Sequence, residues 1–287
     1  MTKISLEGFL IILFYLAPTF TSFSWEIKAE DKQILEKFYS AKTINEIDLY
    51  LDAFEAVKTD DEFEKNYRKG LDLLDTLYSR FYQFETQYIR ELKEKEAYFD
   101  PTYTCLPDLE PLNGKLGPIM FSCVAECTEM DFNFDKGVLK DKAVSTKGTA
   151  DDEILDLAIF IDNGEWGKIA DWDFKVWFQQ TWDYGGHSLI GEGQMTAAIN
   201  RIQAYEKKYD GYRDELKKYK EMMLNDLSEW WTFMYTKDKV MDEFDAILRT
   251  EYFNQEETQK ILDHIKAMNE PDSLAEFDCK NKSCRAG

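Results

Sequence analysis

The chain has 287 residues, of which 44% are hydrophobic and 15% aromatic, so it contains enough apolar surface for a sizeable core. Its 56 acidic and 35 basic residues give a formal net charge of −21, which repels nucleic-acid phosphates and anionic lipid head groups. We therefore expect no nucleic-acid partner, and electrostatics favour cations or basic partners. The plainer interpretation is that the acidity only keeps the protein soluble.

The N-terminal residues are typical of a secretory signal peptide. Lys3 precedes an apolar block over residues 8–17, and small residues at the minus-three and minus-one positions mark a cleavage site before Trp25. The block is too short to span a bilayer, and no later segment is apolar enough, so we expect no transmembrane segment after cleavage. Glu7 within the leader leaves an uncleaved anchor as the alternative. The sequence thus predicts a signal peptide at residues 1–24 and a secreted or periplasmic protein.

Five cysteines lie beyond this leader, where an exported chain meets an oxidising compartment. They are Cys105, Cys123, Cys127, Cys279 and Cys284. Cys279 can pair with Cys284 across a short loop. Cys105 can pair with Cys123 or Cys127, which leaves one thiol free or paired with a second chain. Zinc binding by the three central cysteines is the alternative, although their spacing matches no known zinc motif.

The chain after the leader begins with three predicted helices. Two are short, and the second of them starts with a capping box formed by Thr43 and Glu46. Another box, Thr59 with Glu62, opens a helix whose apolar residues recur every three or four positions as far as Tyr98. At 1.5 Å per residue this helix is about 55 Å long. Its tyrosines allow one face to border solvent or a partner.

Residues 100–148 lack helical periodicity and contain four prolines, four glycines and three cysteines. A connection of this length inside a domain is often functional. We expect an irregular insertion that disulfides hold in place.

One short pattern in this insertion resembles the first half of an EF-hand calcium loop. Asp131, Asn133 and Asp135 place oxygen atoms at alternate positions, as that loop does. Lys136 stands where the loop needs glycine, and Lys142 stands where it needs the closing glutamate. Calcium is thus the one cofactor that the sequence suggests, and a solvated acidic turn is the alternative.

Residues 151–193 are the richest in apolar and aromatic side chains, with an apolar run at 154–161 followed by four tryptophans. The tryptophans are Trp166, Trp172, Trp177 and Trp182. Such a segment has to be buried, so we predict that it forms the centre of the core. A glycine-rich break at 185–193 separates it from a second long helix, which the periodicity predicts over 194–235.

The same segment contains the candidate catalytic residues. On a helix over residues 166–182, Asp173 projects among the tryptophans, opposite a polar face that includes Lys168, Asp171, Lys175 and Gln179. Asp183, His187 and Glu192 follow on the glycine-rich loop. Carboxyl groups beside flat rings are the components of a glycan-hydrolysing site, in which the tryptophans bind the sugar. The alternative is that Asp173 makes a structural hydrogen bond and the tryptophans fill the core.

The remaining sequence predicts two shorter helices, over 238–251 and 255–268, and a polar tail over 269–287. Asn254 caps the second helix, and His264 lies on its polar face, where we expect it to be exposed. With only two histidines in the chain, the sequence disfavours a histidine-based triad and a multi-histidine metal site.

Together these patterns predict an all-α protein, a helical bundle around two long helices. Residues 25–268 form one helical domain, which includes the disulfide-containing insertion at 100–148 and is followed by the short tail. We expect a binding protein with a protein or glycan partner. An enzyme is the less favoured alternative, a glycan-acting hydrolase with an acidic, aromatic-lined site in residues 162–193.

Overall fold

The structure is a computed structural model, and it describes residues 27–94, 109–124, 129–162, 175–180, 186–282 and 284. Helices contain 63% of these residues, which confirms the prediction of a mainly helical protein. The predicted signal peptide, Cys105 and Cys127 lie outside the described residues.

Nine α-helices and four strands occur in this part of the chain. The helices are α1 (Ala29–Leu35), α2 (Ala41–Ala56), α3 (Asp60–Glu94), α4 (Lys136–Val144), α5 (Ala150–Ile161), α6 (Gln194–Glu206), α7 (Arg213–Glu229), α8 (Lys237–Arg249) and α9 (Gln255–Met268). The strands are β1 (Ile119–Val124), β2 (Glu129–Phe134), β3 (Phe178–Gln180) and β4 (Gly186–Ser188). β1 pairs with β2 and β3 with β4, both antiparallel.

The starts of α2 and α3 show how helix caps set their bounds. The cap of α2 is Ser40, whose hydroxyl accepts a hydrogen bond from Thr43 N at 3.3 Å, so the predicted capping box at Thr43 is wrong. The predicted start of α3 is confirmed, since Thr59 Oγ1 accepts from Glu62 N at 3.3 Å. The Glu62 carboxylate in turn accepts from Lys58 N at 2.8 Å. Both caps bond amides that a helix start leaves without a partner.

α3 is the long helix that the periodicity predicts, and its 35 residues extend about 52 Å. Its buried side chains recur every three or four positions, namely Phe63, Asn66, Leu73, Leu74, Leu77, Phe81 and Glu85. The helix contacts α2, α5 and β2. The first half of the described chain is therefore arranged around α3.

Gly70 allows α3 to approach its neighbours closely. A Cβ atom at this position would lie 2.5 Å from Phe134 Cζ and 2.7 Å from Tyr50 Oη. In an open helix Gly→Ala raises stability by about 1 kcal/mol. Here we expect Gly70→Ala to lower the free energy of unfolding by roughly 1–3 kcal/mol, because two packed rings have to move.

Denaturant unfolding measures this change. Gly137→Ala in α4 is the control, because its new methyl group would meet one carboxylate oxygen of Asp135 at 3.1 Å rather than packed rings. A free energy of unfolding that stays constant or rises in Gly70→Ala would contradict the close packing.

The second predicted long helix is wrong, because two helices replace it. α6 ends at Glu206, and α7 begins at Arg213 after a turn in which Tyr212 has a left-handed φ of 57°. Tyr209 is partly buried and Tyr212 fully buried, so the apolar spacing continues across the turn and hides the break. Residues 230–235, which the prediction included, are not helical.

The described part of the predicted irregular insertion is mostly regular. It contains the β1–β2 hairpin and α4, so the prediction of a loop over 100–148 is wrong there. Met130, Phe132 and Phe134 are buried at alternate positions of β2, the period that a half-buried strand requires. This alternation is present in the sequence, but the prolines and cysteines of residues 100–148 favour an irregular segment.

His264 is buried, contrary to the prediction of a surface residue. Its Nε2 lies 2.8 Å from Trp230 O, and its ring meets Trp231 edge to face at 4.5 Å between centroids. Burial lowers the pKa of its imidazole. The residue lies on the side of α9 that contacts the end of α7, which the polar neighbours in sequence did not indicate.

The C-terminal segment is attached to the helices by backbone hydrogen bonds. Phe233 N donates to Glu276 O at 2.9 Å, and Glu276 N donates to Trp231 O at 2.8 Å. Phe277 stacks on Phe233 with ring centroids 5.3 Å apart. Cys279 and Cys284, a pairing that the sequence allows, are joined by a disulfide with their Cα atoms 5.4 Å apart. The tail is therefore less independent of the core than its polar composition suggested.

Candidate functional site

The structure describes only part of the predicted tryptophan site. The residues outside the described ranges are Asp173, Asp183, Trp166, Trp172 and Trp182. Trp177 is 1% exposed, and its indole Nε1 donates to Asp226 Oδ2 at 2.7 Å. Burial raises the pKa of Asp226, and the hydrogen bond from Trp177 opposes that rise. Trp177 is thus a core residue, and its ring is not open to a ligand.

Residues 178–180 form β3, so the prediction of a helix over 166–182 is wrong at this end. Gln179 lies opposite His187 in the β3–β4 pair, and the helical face that grouped Lys175 with Gln179 is not formed. Valine and aromatic residues at 176–178 favour a strand, although their spacing also fits a helix. The half-buried His187 is therefore a strand residue of β4.

The glycine-rich loop is held by one buried carboxylate of α8. Glu243 is 5% exposed and accepts hydrogen bonds from Gly193 N at 2.8 Å and Thr196 N at 3.2 Å. It also accepts from Gly191 N and from Thr196 Oγ1. Glu192, between the two glycines, is exposed. The loop thus fixes the start of α6 against α8 and leaves Glu192 in solvent.

The calcium candidates lie on β2 and at the start of α4. Asp131 accepts a hydrogen bond from Asn133 Nδ2 at 2.7 Å, and Asp135 caps α4 by accepting from Val138 N at 3.0 Å. Their oxygens therefore bond to neighbouring strand and helix groups. Across the described ranges, no three side chains of His, Cys, Asp or Glu form a cluster that could hold a metal ion.

A groove of about 380 Å³ lies between α2 and α3. Its lining comes from positions three or four apart on each helix, namely Glu46, Leu49, Tyr50 and Ala53 of α2 and Lys69, Asp72, Leu73 and Thr76 of α3. Leu49 is 60% exposed, although it is a large apolar residue. Tyr50 is buried, and within the described residues its hydroxyl has no hydrogen-bond partner. We name this feature the α2–α3 groove.

The α2–α3 groove has more acidic than basic side chains. Glu46 and Asp72 line it together with one base, Lys69. Lys42 Nζ lies 3.7 Å from Glu46 Oε1, but both side chains are exposed, so water and salt screen this pair. Asp52, next to the lining residue Ala53, is exposed. The lining of the groove is therefore negative, as is the chain as a whole.

A second cluster lies where several helices begin and end. This acid–tyrosine cluster consists of Asp60 and Glu64 of α3, Asp151 of α5, Tyr205 of α6 and Tyr212 at the start of α7. Thr146 Oγ1 donates to Asp151 Oδ2 at 2.8 Å and is 3.3 Å from Asp60 Oδ1, so the two carboxyl groups are neighbours. Asp151 is fully buried, and this burial raises the pKa of its carboxyl group to about 6. The neighbouring Asp60 adds to the rise.

Backbone amides bind the other oxygens of this carboxyl pair. Asp60 Oδ2 accepts from Thr149 N at 3.1 Å and from Ala150 N at 3.0 Å. Asp151 Oδ1 accepts from Asp152 N at 2.9 Å. A Cβ atom at Gly148 would lie 2.0 Å from Asp60 Oδ1, so glycine allows the loop to fold around this carboxylate. The amides orient the remaining oxygens, Asp60 Oδ1 and Asp151 Oδ2, towards Thr146.

Two buried tyrosine hydroxyls accompany the pair. Tyr205 and Tyr212 are each 2% exposed, and neither hydroxyl has a hydrogen-bond partner within the described residues. Burial raises the pKa of both phenols, and the charges of Glu64 and Asp151 raise it further. Buried polar groups without a partner are rare in folded proteins.

Neither the groove nor the cluster is evident from the sequence. The groove residues follow the helical period, but that period does not show which stripe stays open. The cluster joins Asp60, Asp151 and Tyr205, which are far apart in sequence. Its one local signal is the pair Thr59 and Asp60 at a predicted helix start, where an acid is also an ordinary cap residue.

Comparisons with known proteins identify no family for this chain. The sequence matches no protein-family model, and neither curated proteins nor solved structures show a significant similarity to it. Within the described ranges, none of the helices combines the length and the apolar character needed to cross a membrane. Function is therefore inferred from the geometry of the groove and the cluster.

Proposed function

We propose that the protein is an exported interaction protein that binds a basic, amphipathic helix of a partner protein in the α2–α3 groove. The observation that supports this most directly is the exposed Leu49 beside a concave surface that two helices form. A third helix laid along such a groove buries its apolar stripe through side chains three and four positions apart. The lining residues of both helices follow the same spacing.

The size of the groove favours a transient complex. Its volume of about 380 Å³ is near the lower end of ligand sites in proteins. Burying Leu49 and the side chains opposite it stabilises the complex by about 1.5–3 kcal/mol for each large apolar residue. A partner helix therefore needs two or more apolar anchors, together with charge complementarity, to bind in the micromolar range.

Charge favours a basic partner over an acidic one. Glu46 and Asp72 line the groove, and the chain as a whole has a net charge of −21. Long-range attraction of a basic helix raises its association rate, and an acidic helix is repelled. This is the partner that the acidic composition already favoured, now assigned to one surface.

Export and the bundle arrangement belong to the same proposal. The Cys279–Cys284 disulfide favours an oxidising compartment, in agreement with the secretory leader that the sequence predicts, so we propose a secreted or periplasmic protein. α2 and α3 are joined by three residues and pack against each other, the arrangement of a helical hairpin. A bound helix would complete a three-helix unit with them.

The glycan-hydrolase alternative has no specific support among the described residues. Trp177 lies in the core, and Glu192 is exposed on a loop that Glu243 anchors. We therefore restrict the proposal to binding.

Two synthetic peptides of about 14 residues test the proposal. Both have the same leucine stripe, and their polar positions are all lysine in one and all glutamate in the other. We expect the lysine peptide to bind at least about tenfold more tightly at physiological salt, as measured by calorimetry. Leu49→Lys should weaken its binding by about tenfold or more, because the anchor is lost and like charges meet.

Leu274→Lys is the matched control, since Leu274 is 68% exposed on the C-terminal segment, outside the groove. It introduces the same charge and should leave the affinity unchanged. Two outcomes would contradict the groove as the binding site: an equal loss of affinity in Leu49→Lys and Leu274→Lys, or equal binding of the two peptides. Either would show that any attraction is only the diffuse effect of net charge.

A further inference from the structure

We infer that the protein forms a two-fold symmetric dimer in which α3 of one copy packs antiparallel against α3 of a second copy. The contact surface is a row of exposed residues that we name the α3 tyrosine stripe, namely Asp75, Tyr78, Tyr82, Thr86 and Arg90. The stripe lies roughly 110° around the helix axis from the side of α3 that lines the α2–α3 groove. Dimer formation is therefore separate from the binding of a partner in the groove.

Two tyrosines in the middle of the stripe expose aromatic surface to solvent. Tyr78 is 48% exposed and Tyr82 is 55% exposed. Their rings stack with centroids 6.2 Å apart, and the ring of Tyr78 also meets Phe132 of β2 edge to face at 5.9 Å. These contacts fix the rings before any partner binds, so their burial in an interface costs little conformational entropy. Exposed and preorganised tyrosines of this kind are typical interface anchors.

The spacing of the stripe fits a second copy of the same helix. Its residues are three or four positions apart, as on one face of a helix. When two identical helices pack antiparallel about a two-fold axis, the residue numbers of each facing pair have nearly the same sum. With the axis at Tyr82, this residue faces its own copy and Tyr78 faces Thr86 of the other chain. Asp75 then faces Arg90. The stripe is thus complementary to itself.

Charge also favours the antiparallel dimer. Asp75 and Arg90 are exposed, and neither has an ion-pair partner within the described residues. The antiparallel arrangement pairs each Asp75 with an Arg90 of the other copy, whereas a parallel arrangement would place like charges side by side. The stripe itself has no net charge, although the chain has a net charge of −21. A second copy therefore meets no local repulsion at this surface.

The dimer is expected to be weak and reversible. One face of a helix buries less area than the roughly 1,000 Å² of a stable interface. Exposed ion pairs contribute little, and the net charge of each copy opposes association until salt screens it. We therefore expect a Kd of about 100 µM at physiological salt.

Sedimentation equilibrium tests the dimer over a range from about a tenth to about ten times the expected Kd. The mean mass of the wild-type protein should rise from that of one chain towards that of two. Asp75→Arg and Arg90→Asp should each weaken the dimer by about tenfold, because each places two pairs of like charges in the contact. The double variant exchanges the charges and should return to within about threefold of the wild-type Kd.

An equimolar mixture of the two single variants shows whether the pair forms between chains. Neither variant should dimerise well alone, but in the mixture each acid faces a base, so the mean mass should rise again. Arg80→Asp is the matched control for Arg90→Asp, since Arg80 is an exposed base of the same helix outside the stripe. It changes the net charge equally and should stay within about twofold of the wild-type Kd.

Three outcomes would overturn the antiparallel dimer. The first is a wild-type protein that stays monomeric over the whole concentration range. The second is an Arg80→Asp variant that dimerises as poorly as Arg90→Asp, because net charge alone would then explain the loss. The third is a failure of both the double variant and the mixture to recover, because Asp75 and Arg90 would then not face each other.

Discussion

Replacing Glu243 by alanine is expected to lower the free energy of unfolding by about 3–5 kcal/mol, the largest effect that we predict for a single substitution. The carboxylate is 5% exposed and accepts hydrogen bonds from the amides of Gly191, Gly193 and Thr196 and from the Thr196 hydroxyl. Removing it leaves three backbone amides and one hydroxyl, all partly shielded from solvent, without their acceptor at the junction of α6 and α8. Chemical denaturation, monitored by tryptophan fluorescence, measures the loss.

Two further variants make this prediction specific. Glu243→Gln retains one acceptor oxygen and should lose less stability than alanine does. Asp245→Ala changes an exposed acid two residues further along α8 and should stay within about 0.5 kcal/mol of the wild type. If Glu243→Ala were no more harmful than Asp245→Ala, the glycine-rich loop would not depend on this carboxylate, and the description of the α6 start would be wrong.

The second large effect is the loss of one stabilising contribution, that of a proton on Asp151, as the pH rises from about 4 to about 7. Burial raises the pKa of Asp151 from 3.8 to about 6, so the folded state binds this proton more tightly than the unfolded state does. The stabilisation from this proton is fully present below the pKa of Asp151 in the unfolded chain. It is lost as the pH rises through the pKa of Asp151 in the folded protein. At about 1.4 kcal/mol for each pKa unit, the whole loss is about 3 kcal/mol, of which roughly 2 kcal/mol falls between pH 4 and pH 7.

Comparison with Asp151→Asn isolates this contribution. Other acids act in the opposite sense, since hydrogen bonds to Lys208 lower the pKa of Glu153 and those to Lys220 and Asn254 lower that of Glu257. The asparagine cannot ionise, and its amide can donate to the Asp60 carboxylate. The stability of the variant relative to the wild type should rise by roughly 2 kcal/mol between pH 4 and pH 7. If the difference in free energy of unfolding between Asp151→Asn and the wild type did not change with pH, the Asp60–Asp151 pair would not hold a proton.

Helices with clear caps and long apolar stripes were predictable from the sequence. Thr59 with Glu62 opens α3, and Asn254 with Glu257 forms a capping box at α9, because the atoms of such a box are close neighbours in the chain. The break between α6 and α7 was not predictable from spacing. Tyr212 is buried in a left-handed conformation and continues the apolar period through the turn.

The strands and the candidate sites depend on contacts that a local pattern does not specify. The β1–β2 hairpin was missed because prolines and cysteines outweighed the alternation of Met130 and Phe132. Leu49 has the same helical spacing as its buried neighbours, and only the packing of α2 on α3 leaves it exposed. The Asp60–Asp151 pair forms because the end of α4 and the start of α5 return to the start of α3, as the hydrogen bonds of Thr146 show.

A chemical-shift map of the isotope-labelled protein with the lysine peptide is the most direct measurement of the proposed function. We expect the largest shifts at Leu49, Tyr50 and Leu73, with Leu274 and the C-terminal segment unchanged. Shifts that spread evenly over acidic surface residues, or that leave Leu49 and Leu73 unaffected, would contradict the α2–α3 groove as the binding surface.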